Sequence, residues 1–222
     1  MQVTEKIKIT NEDNMQLMSR YEDNYFDLAI VDPPYGIGEA GQRNKSGDRN
    51  TKKWSNPKSI KYKSFDDSSP PQKKYFAELF RVSKNQIIWG GNYFTNYLKP
   101  SKGWIVWDKK ADIKEYLSMC ELAYSSFNKK CNKFEFLWAG FKKAVQEKRI
   151  HPTQKPVKLY EWLLINYAKE RDKILDTHFG SGSIAIACHN LGYELTACEL
   201  DKDYYNASIK RIKQHISQLR IF

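Results

Sequence analysis

Phe26-Asp27-Leu28-Ala29-Ile30-Val31 runs directly into Asp32-Pro33-Pro34-Tyr35. The first six residues form an apolar run broken only by Asp27, and a short run of this kind bounded by turn residues reads as a buried strand. The next four form a polar mouth at its carboxyl end. Prolines fix φ and donate no backbone N–H. The Asp32 carboxylate and the Pro33 carbonyl are therefore two stiffly held acceptors beside the flat ring of Tyr35. That arrangement suits a planar amine, such as the exocyclic nitrogen of a nucleobase.

Outward from this strand, the pattern alternates. Residues 3–10 read as a first strand, and Met15, Leu17 and Met18 as a short helix after it. Residues 72–82 read as a helix that buries Tyr75, Phe76, Leu79 and Phe80. Strands are expected over 86–89, ending in Gly90-Gly91, and over 104–107, ending at Asp108; 120–124 and 134–138 read as further strands. Val157, Tyr160, Leu163, Leu164 and Tyr167 recur at helical spacing. A strand over 173–176, a helix over 183–190 and a strand over 194–198 follow. Tyr205, Ile209, Ile212, Ile216 and Leu219 step at four and three residues, giving an amphipathic last helix. Such alternation indicates an open, mostly parallel α/β sheet with helices on both faces. No internal repeat or linker divides the chain, so 1–222 reads as one domain. Over 37–70 the apolar pattern vanishes, and a long stretch without it is expected to be a mobile, functional loop.

The chain has 222 residues, with 37 Lys and Arg against 26 Asp and Glu, a formal net charge of +11. This excess points to a polyanionic partner, nucleic acid before membrane. No basic stretch carries the dense apolar face of a surface-bound helix, no apolar run is long enough to span a bilayer, and residues 1–6 lack a signal-peptide apolar region. The four cysteines, Cys120, Cys131, Cys188 and Cys198, form no C-x-x-C pair. No metal site is expected, and the compartment reads as reducing cytoplasm.

Two further segments carry chemistry. In Leu175-Asp176-Thr177-His178-Phe179-Gly180-Ser181-Gly182-Ser183 a strand turns into a helix. The glycines allow a tight turn and close approach of a ligand, and the helix N-terminus offers free N–H groups to an anion. Glu199, at the end of the next strand, stands where nucleoside-binding α/β folds place an acid on ribose hydroxyls. The absence of a third glycine argues against a dinucleotide fingerprint. In His151-Pro152-Thr153-Gln154-Lys155-Pro156, Thr153 reads either as a helix cap or, with Lys155, as a contact for an anionic group; spacing leaves both open.

Together the three segments resemble the S-adenosylmethionine-dependent amino-methyltransferases of DNA. Asp32-Pro33-Pro34-Tyr35 resembles the catalytic motif, Asp176 through Gly182 the cofactor loop, and His151 through Pro156 the segment before it. The order, catalytic motif first, matches the circularly permuted class called beta. The resemblance implies a Rossmann-like methyltransferase fold with a seven-stranded sheet. It also implies the catalytic set Asp32, Pro33, Pro34 and Tyr35, with Tyr35 stacked on a flipped-out base. The implied cofactor contacts are Asp13 and Asn14 at the adenine, Glu199 at the ribose, Gly180, Ser181 and Gly182 at the methionine portion, and Lys155 at its carboxylate. Asp32 and Asp176 border the same site. The family's Asp-Pro-Phe opening is Asp176-Thr177-His178 here, so His178 or Phe179 takes over the aromatic contact.

Double-stranded DNA is the implied partner. Arg43, Lys45, Lys52, Lys53 and Trp54 in the loop, with Lys142, Lys143 and Arg149 in a short target-recognition region over 126–150, are the expected DNA contacts. The resemblance leaves room for a homodimer and a cognate restriction endonuclease. Asp at the first motif position favours adenine-N6 over cytosine-N4 methylation, in which Ser is more frequent. A nucleic-acid-binding protein without catalysis is the alternative of another class.

Overall fold

The computed structural model describes residues 2–38, 67–110, 118–139, 142–145 and 147–218. The loop residues Arg43, Lys45, Lys52, Lys53 and Trp54 lie outside these. The strands are β1 (Gln2–Thr4), β2 (Ile7–Thr10), β3 (Phe26–Val31), β4 (Ser83–Trp89), β5 (Ile105–Asp108), β6 (Cys120–Ser125), β7 (Asn132–Glu135), β8 (Trp138–Ala139), β9 (Lys142–Lys143), β10 (Lys173–Asp176) and β11 (Glu194–Cys198). The α-helices are α1 (Asn14–Met18), α2 (Lys73–Val82), α3 (Val157–Tyr167), α4 (Ser183–Leu191) and α5 (Lys202–Ser217).

Among the described residues, nine strands form one sheet in the order β1-β2-β11-β10-β3-β4-β6-β5-β7, and β8 and β9 form a separate ribbon. The expected seven strands are thus exceeded. The stretch 3–10 is two antiparallel strands rather than one, because the chain turns at Glu5 and Lys6. The stretch 134–138 also divides, so that Phe134 pairs with Trp107 of β5 while Trp138 starts the ribbon.

Side chains alternate across a strand, and this builds two cores. Leu28, Ile30, Ile87, Trp89 and Ile174 pack with Leu159, Leu163, Ile184 and Ile209 of α3, α4 and α5. Ala29, Val31, Ile88 and Leu175 pack on the other face with Leu17 of α1 and Phe76 and Leu79 of α2. Asp27, the polar break in β3, is accommodated at the strand's start, where its carboxylate accepts the Lys173 N–H at 2.9 Å and pairs with Lys84 at 2.6 Å.

The strands β2, β11, β10, β3 and β4 are mutually parallel. Strands β10 and β11, late in the chain, lie between β2 and β3, early in the chain. The carboxyl ends of all five strands therefore open on one edge, where chain order is broken, which is where open α/β sheets bind ligands. Strand β6 runs antiparallel to both β4 and β5, so its first residues reach that edge together with the carboxyl end of β5.

Candidate active site

A cleft of about 1370 Å³ follows this edge. Asp13 and Asn14 after β2, Asp32 to Tyr35 after β3, Thr177 to Ser181 after β10 and Glu199 after β11 line it, with His151 to Lys155 closing one wall. Small-molecule sites usually occupy roughly 300–1,000 Å³, so the cleft has room for more than one ligand.

At one end both oxygens of the Asp32 carboxylate carry a donor. Its Oδ1 accepts the Tyr35 hydroxyl at 2.7 Å, and its Oδ2 accepts from Lys155 Nζ at 2.5 Å. Lys155, with only 4% of its side chain exposed, also pairs with Glu121 at 3.1 Å, and Glu121 pairs with Lys109 at 2.8 Å. The Lys155 ammonium lies 5.3 Å from the Trp89 ring centroid. Two ammonium groups and two carboxylates thus balance in a site where an unpaired charge would be costly. Burial raises the Asp32 carboxyl above its ordinary value, and Lys155 offsets only part of that. Burial also acts to raise Glu121, yet Lys155 and Lys109 outweigh it and hold its carboxyl at about 2. Burial disfavours the Lys155 ammonium, but Asp32 and Glu121 prevail and raise its pKa. Burial and then Asp32 raise Tyr35 well above the usual phenol, so it remains a donor.

Lys155, expected at the cofactor's carboxylate, is paired here with Asp32 and Glu121, because the start of β6 brings a second acid to this edge. Tyr35, expected to stack on a base, already has one ring partner. Its ring stacks on Tyr93 at 5.1 Å and 19°, and a Cβ at Gly90 would stand 2.3 Å from its Cε1. Gly90, at φ +68°, supplies the space.

The other end is built from β2, β10 and β11. Asp13 caps α1, accepting the N–H groups of Met15 at 2.8 Å and Gln16 at 3.2 Å. Asn14 Nδ2 lies 3.1 Å from His178 Nε2, and Thr177 Oγ1 3.0 Å from His178 Nδ1. The Asn14 amide donates to Nε2, which assigns the ring proton to Nδ1. Burial lowers His178 to about 4, so the ring is neutral. Glu199 accepts the Gly180 N–H at 2.7 Å and the Asp201 N–H at 2.9 Å. Its carboxylate thus shapes the loop as well as facing the cleft.

Asp176 and Gly182 are not on the cleft wall. Asp176 is buried beneath the loop, accepting the His178 N–H at 3.0 Å, and burial pushes its carboxyl up to about 8. Gly182, at φ +73°, packs against Ile212 and Phe179. Thr153 is not a helix cap. Pro156 occupies that position, and Thr153 Oγ1 lies 3.0 Å from His151 Nδ1. The segment is pinned instead by Ser183 Oγ donating to the Lys155 carbonyl at 2.7 Å and Trp138 Nε1 donating to Gln154 at 3.0 Å. Arg211 of α5 donates to the Ser181 carbonyl at 2.8 Å and to Ser183 Oγ at 3.0 Å, and pairs with Glu147 at 2.8 Å. Of the expected DNA contacts, Arg149 lines the cleft with its guanidinium 5.6 Å from the Trp138 ring centroid. Lys142 and Lys143 form β9.

Lys109, Glu121, Gly90 and Tyr93 were missed in the sequence. Glu121 carried one signal, a lone acid inside an apolar strand. Lys109 follows a strand end that already stood out.

The sequence profile of the family described as DNA methylase matches residues 26–210. The chain is 24% identical to the Type II methyltransferase M2.DpnII of Streptococcus pneumoniae, over 94% of this chain and 90% of that one. It is 23% identical to the Type II methyltransferase M2.LlaDCHI of Lactococcus lactis subsp. cremoris, over 93% and 89%. Its fold resembles that of an M1.HpyAVI–SAM complex, with a TM-score of 0.58 and 19% identity over 92% and 99% of the two chains. It also resembles the cytosine-N4-specific PvuII DNA methyltransferase, with a TM-score of 0.61 and 11% identity over 96% and 93%.

Proposed function

Because the chain belongs to the N6/N4 DNA methylase family, we propose that it methylates the N6 amine of an adenine flipped out of double-stranded DNA. The observation that carries this reading is the placement of Asp32 and Tyr35 in the same cleft as the glycine loop and Glu199.

The residues present fit S-adenosylmethionine. A Cβ at Gly180 would meet nothing nearer than 3.9 Å, so that glycine leaves open room above the loop. Glu199 offers a carboxylate to vicinal hydroxyls, and Asn14 and His178 form a polar wall. Gly180 and Ser181 of the loop line the cleft and would face the methionine portion. When bound, S-adenosylmethionine supplies an electrophilic methyl group.

The chain's own residues prepare the amine. An adenine N6 is a weak nucleophile because its lone pair is delocalised. Acceptance of its hydrogens by Asp32 and the Pro33 carbonyl concentrates electron density on nitrogen, and fixed positioning contributes several kcal/mol. Lys155 keeps Asp32 available as an acceptor, and Asp32 can take the surplus proton afterwards. Flipping the base costs a few kcal/mol, offset by stacking and by phosphate contacts from the basic residues. The Asp at the first motif position supports adenine over cytosine. The same reading extends to a cognate endonuclease and a second copy of the chain as partners, which cleavage protection and sedimentation would test.

The test combines purified protein, S-adenosylmethionine and unmethylated bacterial DNA, followed by nucleoside mass spectrometry. N6-methyladenine is expected, and its loss in Asp32→Ala with cofactor binding retained. N4-methylcytosine would overturn the base assignment. No methylated base, with DNA still bound, would favour a binding protein.

A further inference from the structure

Lys155 is shared between two carboxylates, and only one of them belongs to the catalytic motif. Glu121 enters from β6, 3.1 Å from Lys155 Nζ, and is itself held by Lys109 at the end of β5. Nothing in the reaction requires Glu121 to touch a substrate. We propose that Glu121 is a positioning residue for the methyl transfer, dividing the Lys155 ammonium with Asp32 so that the ammonium does not close wholly onto Asp32, which remains a strong hydrogen-bond acceptor. This inference rests on the methyltransferase reading.

The physical requirement has two sides. A buried carboxylate without a counter-ion takes up a proton and ceases to accept. A buried carboxylate closed wholly onto an ammonium is a weak acceptor, because its charge is already satisfied. The lysine has three donors. One serves Asp32 at 2.5 Å, one serves Glu121, and a third points toward the Tyr35 hydroxyl at 3.4 Å. Glu121 therefore anchors Lys155 when the base amine competes for Asp32. Lys109 in turn keeps Glu121 charged, and the four side chains balance as two positive and two negative. The groups acting on Asp32 are Lys155 before α3, Glu121 of β6 and Tyr35 of its own loop; Lys109 after β5 acts on Glu121, and Asp32 in turn raises Tyr160 of α3 and Asp176 of β10.

The experiment compares wild type, Glu121→Gln and Glu121→Asp in single-turnover methylation of DNA across pH 5 to 9, with cofactor and DNA affinity measured in parallel. Methylation by the wild type tests the functional reading by itself. If that fails, the reading has failed before any variant is compared. Given an active wild type, E121Q is expected to lose tenfold or more in rate. Its acid limb should move to lower pH, because a negative neighbour of Asp32 is gone. Both affinities should stay within twofold, and E121D should recover part of the rate. A wild-type rate and pH profile in E121Q would overturn the proposal. So would a rate loss matched by a loss of cofactor affinity, which marks a merely structural role. If E121Q does not fold, E121D decides. Its shorter arm should cost severalfold in rate at unchanged affinities, and a wild-type rate would overturn the proposal.

Discussion

Replacing Lys155 with Met separates the two roles open to this lysine. Methionine keeps much of the apolar stem and removes the charge, leaving Asp32 and Glu121 as neighbouring, partly buried carboxylates. Removing one partner of a buried ion pair costs about 3–5 kcal/mol. In a domain of this size each kcal/mol moves Tm by roughly 2–4 °C, so a fall of roughly 6–20 °C is expected near pH 8. The direction with pH follows from the groups involved. In the variant the folded Asp32 carboxyl lies above its unfolded value, so the penalty is absent at low pH and grows as pH rises through the folded value. In the wild type the raised Lys155 contributes stability below its unfolded value, lost only as pH rises through its folded value. The stability gap between the two proteins should therefore be wide at pH 8 and narrow at pH 4. Urea denaturation at both pH values measures it, and calorimetric titration with S-adenosylmethionine should find affinity within a few-fold of wild type. Equal stability at pH 8 together with a tenfold or greater loss of cofactor affinity would refute the reasoning and return Lys155 to the cofactor's carboxylate.

Asp176→Asn should stabilise the protein in alkali. Its carboxyl is raised to about 8 by burial, so it withdraws stability as pH climbs from the unfolded value toward 8. A gain on the order of 2–5 kcal/mol at pH 8.5, vanishing below pH 4, is expected in urea melts. Gly90→Ala should displace the Tyr35 ring, given the 2.3 Å approach and the positive φ. Turnover is expected to fall at least tenfold with cofactor affinity retained. Unchanged turnover would mean that the seat of Tyr35 is immaterial. Arg211→Ala removes charged hydrogen bonds to the Ser181 carbonyl and Ser183 Oγ, each worth about 1.5–3 kcal/mol. The loosened loop should weaken cofactor binding roughly tenfold by calorimetry, with the base-facing end intact.

Much of the parallel framework was legible because each strand there announces its own end. The apolar run of β3 stops at two prolines, β10 stops at the glycine loop and β11 stops at Glu199. The double burial of these strands gives nearly continuous apolar runs, a local signal. The turn at Glu5 and Lys6 carries no glycine or proline, so one strand was expected where two form. Phe134 and Trp138 share an apolar alternation but pair with different strands, and only tertiary contact separates them. The site was legible as three motifs and illegible as a network. The pairing of Lys155 with Glu121 depends on β6 running antiparallel between β4 and β5. No spacing along the chain encodes which residue then lies opposite the carboxyl end of β4. Asp13, which lines the cleft, shows two demands on one side chain. The residue that a resemblance placed at a ligand is also the best local helix cap, and its carboxylate caps the helix.

The Tyr35 hydroxyl on Asp32 gives the enzyme a tethered competitor for its own substrate. It sits three residues away on the same loop, at an effective concentration on the order of millimolar or higher. An amine that takes the same lone pair of Oδ1 exchanges with that hydroxyl rather than filling a vacancy. A base held only by its amine loses the exchange, whereas one also gripped through its ring, sugar and flanking phosphates wins it. On the reading proposed above, selectivity among extruded bases then resides partly in a threshold set by the protein's own side chain, before any atom of a recognition sequence is read.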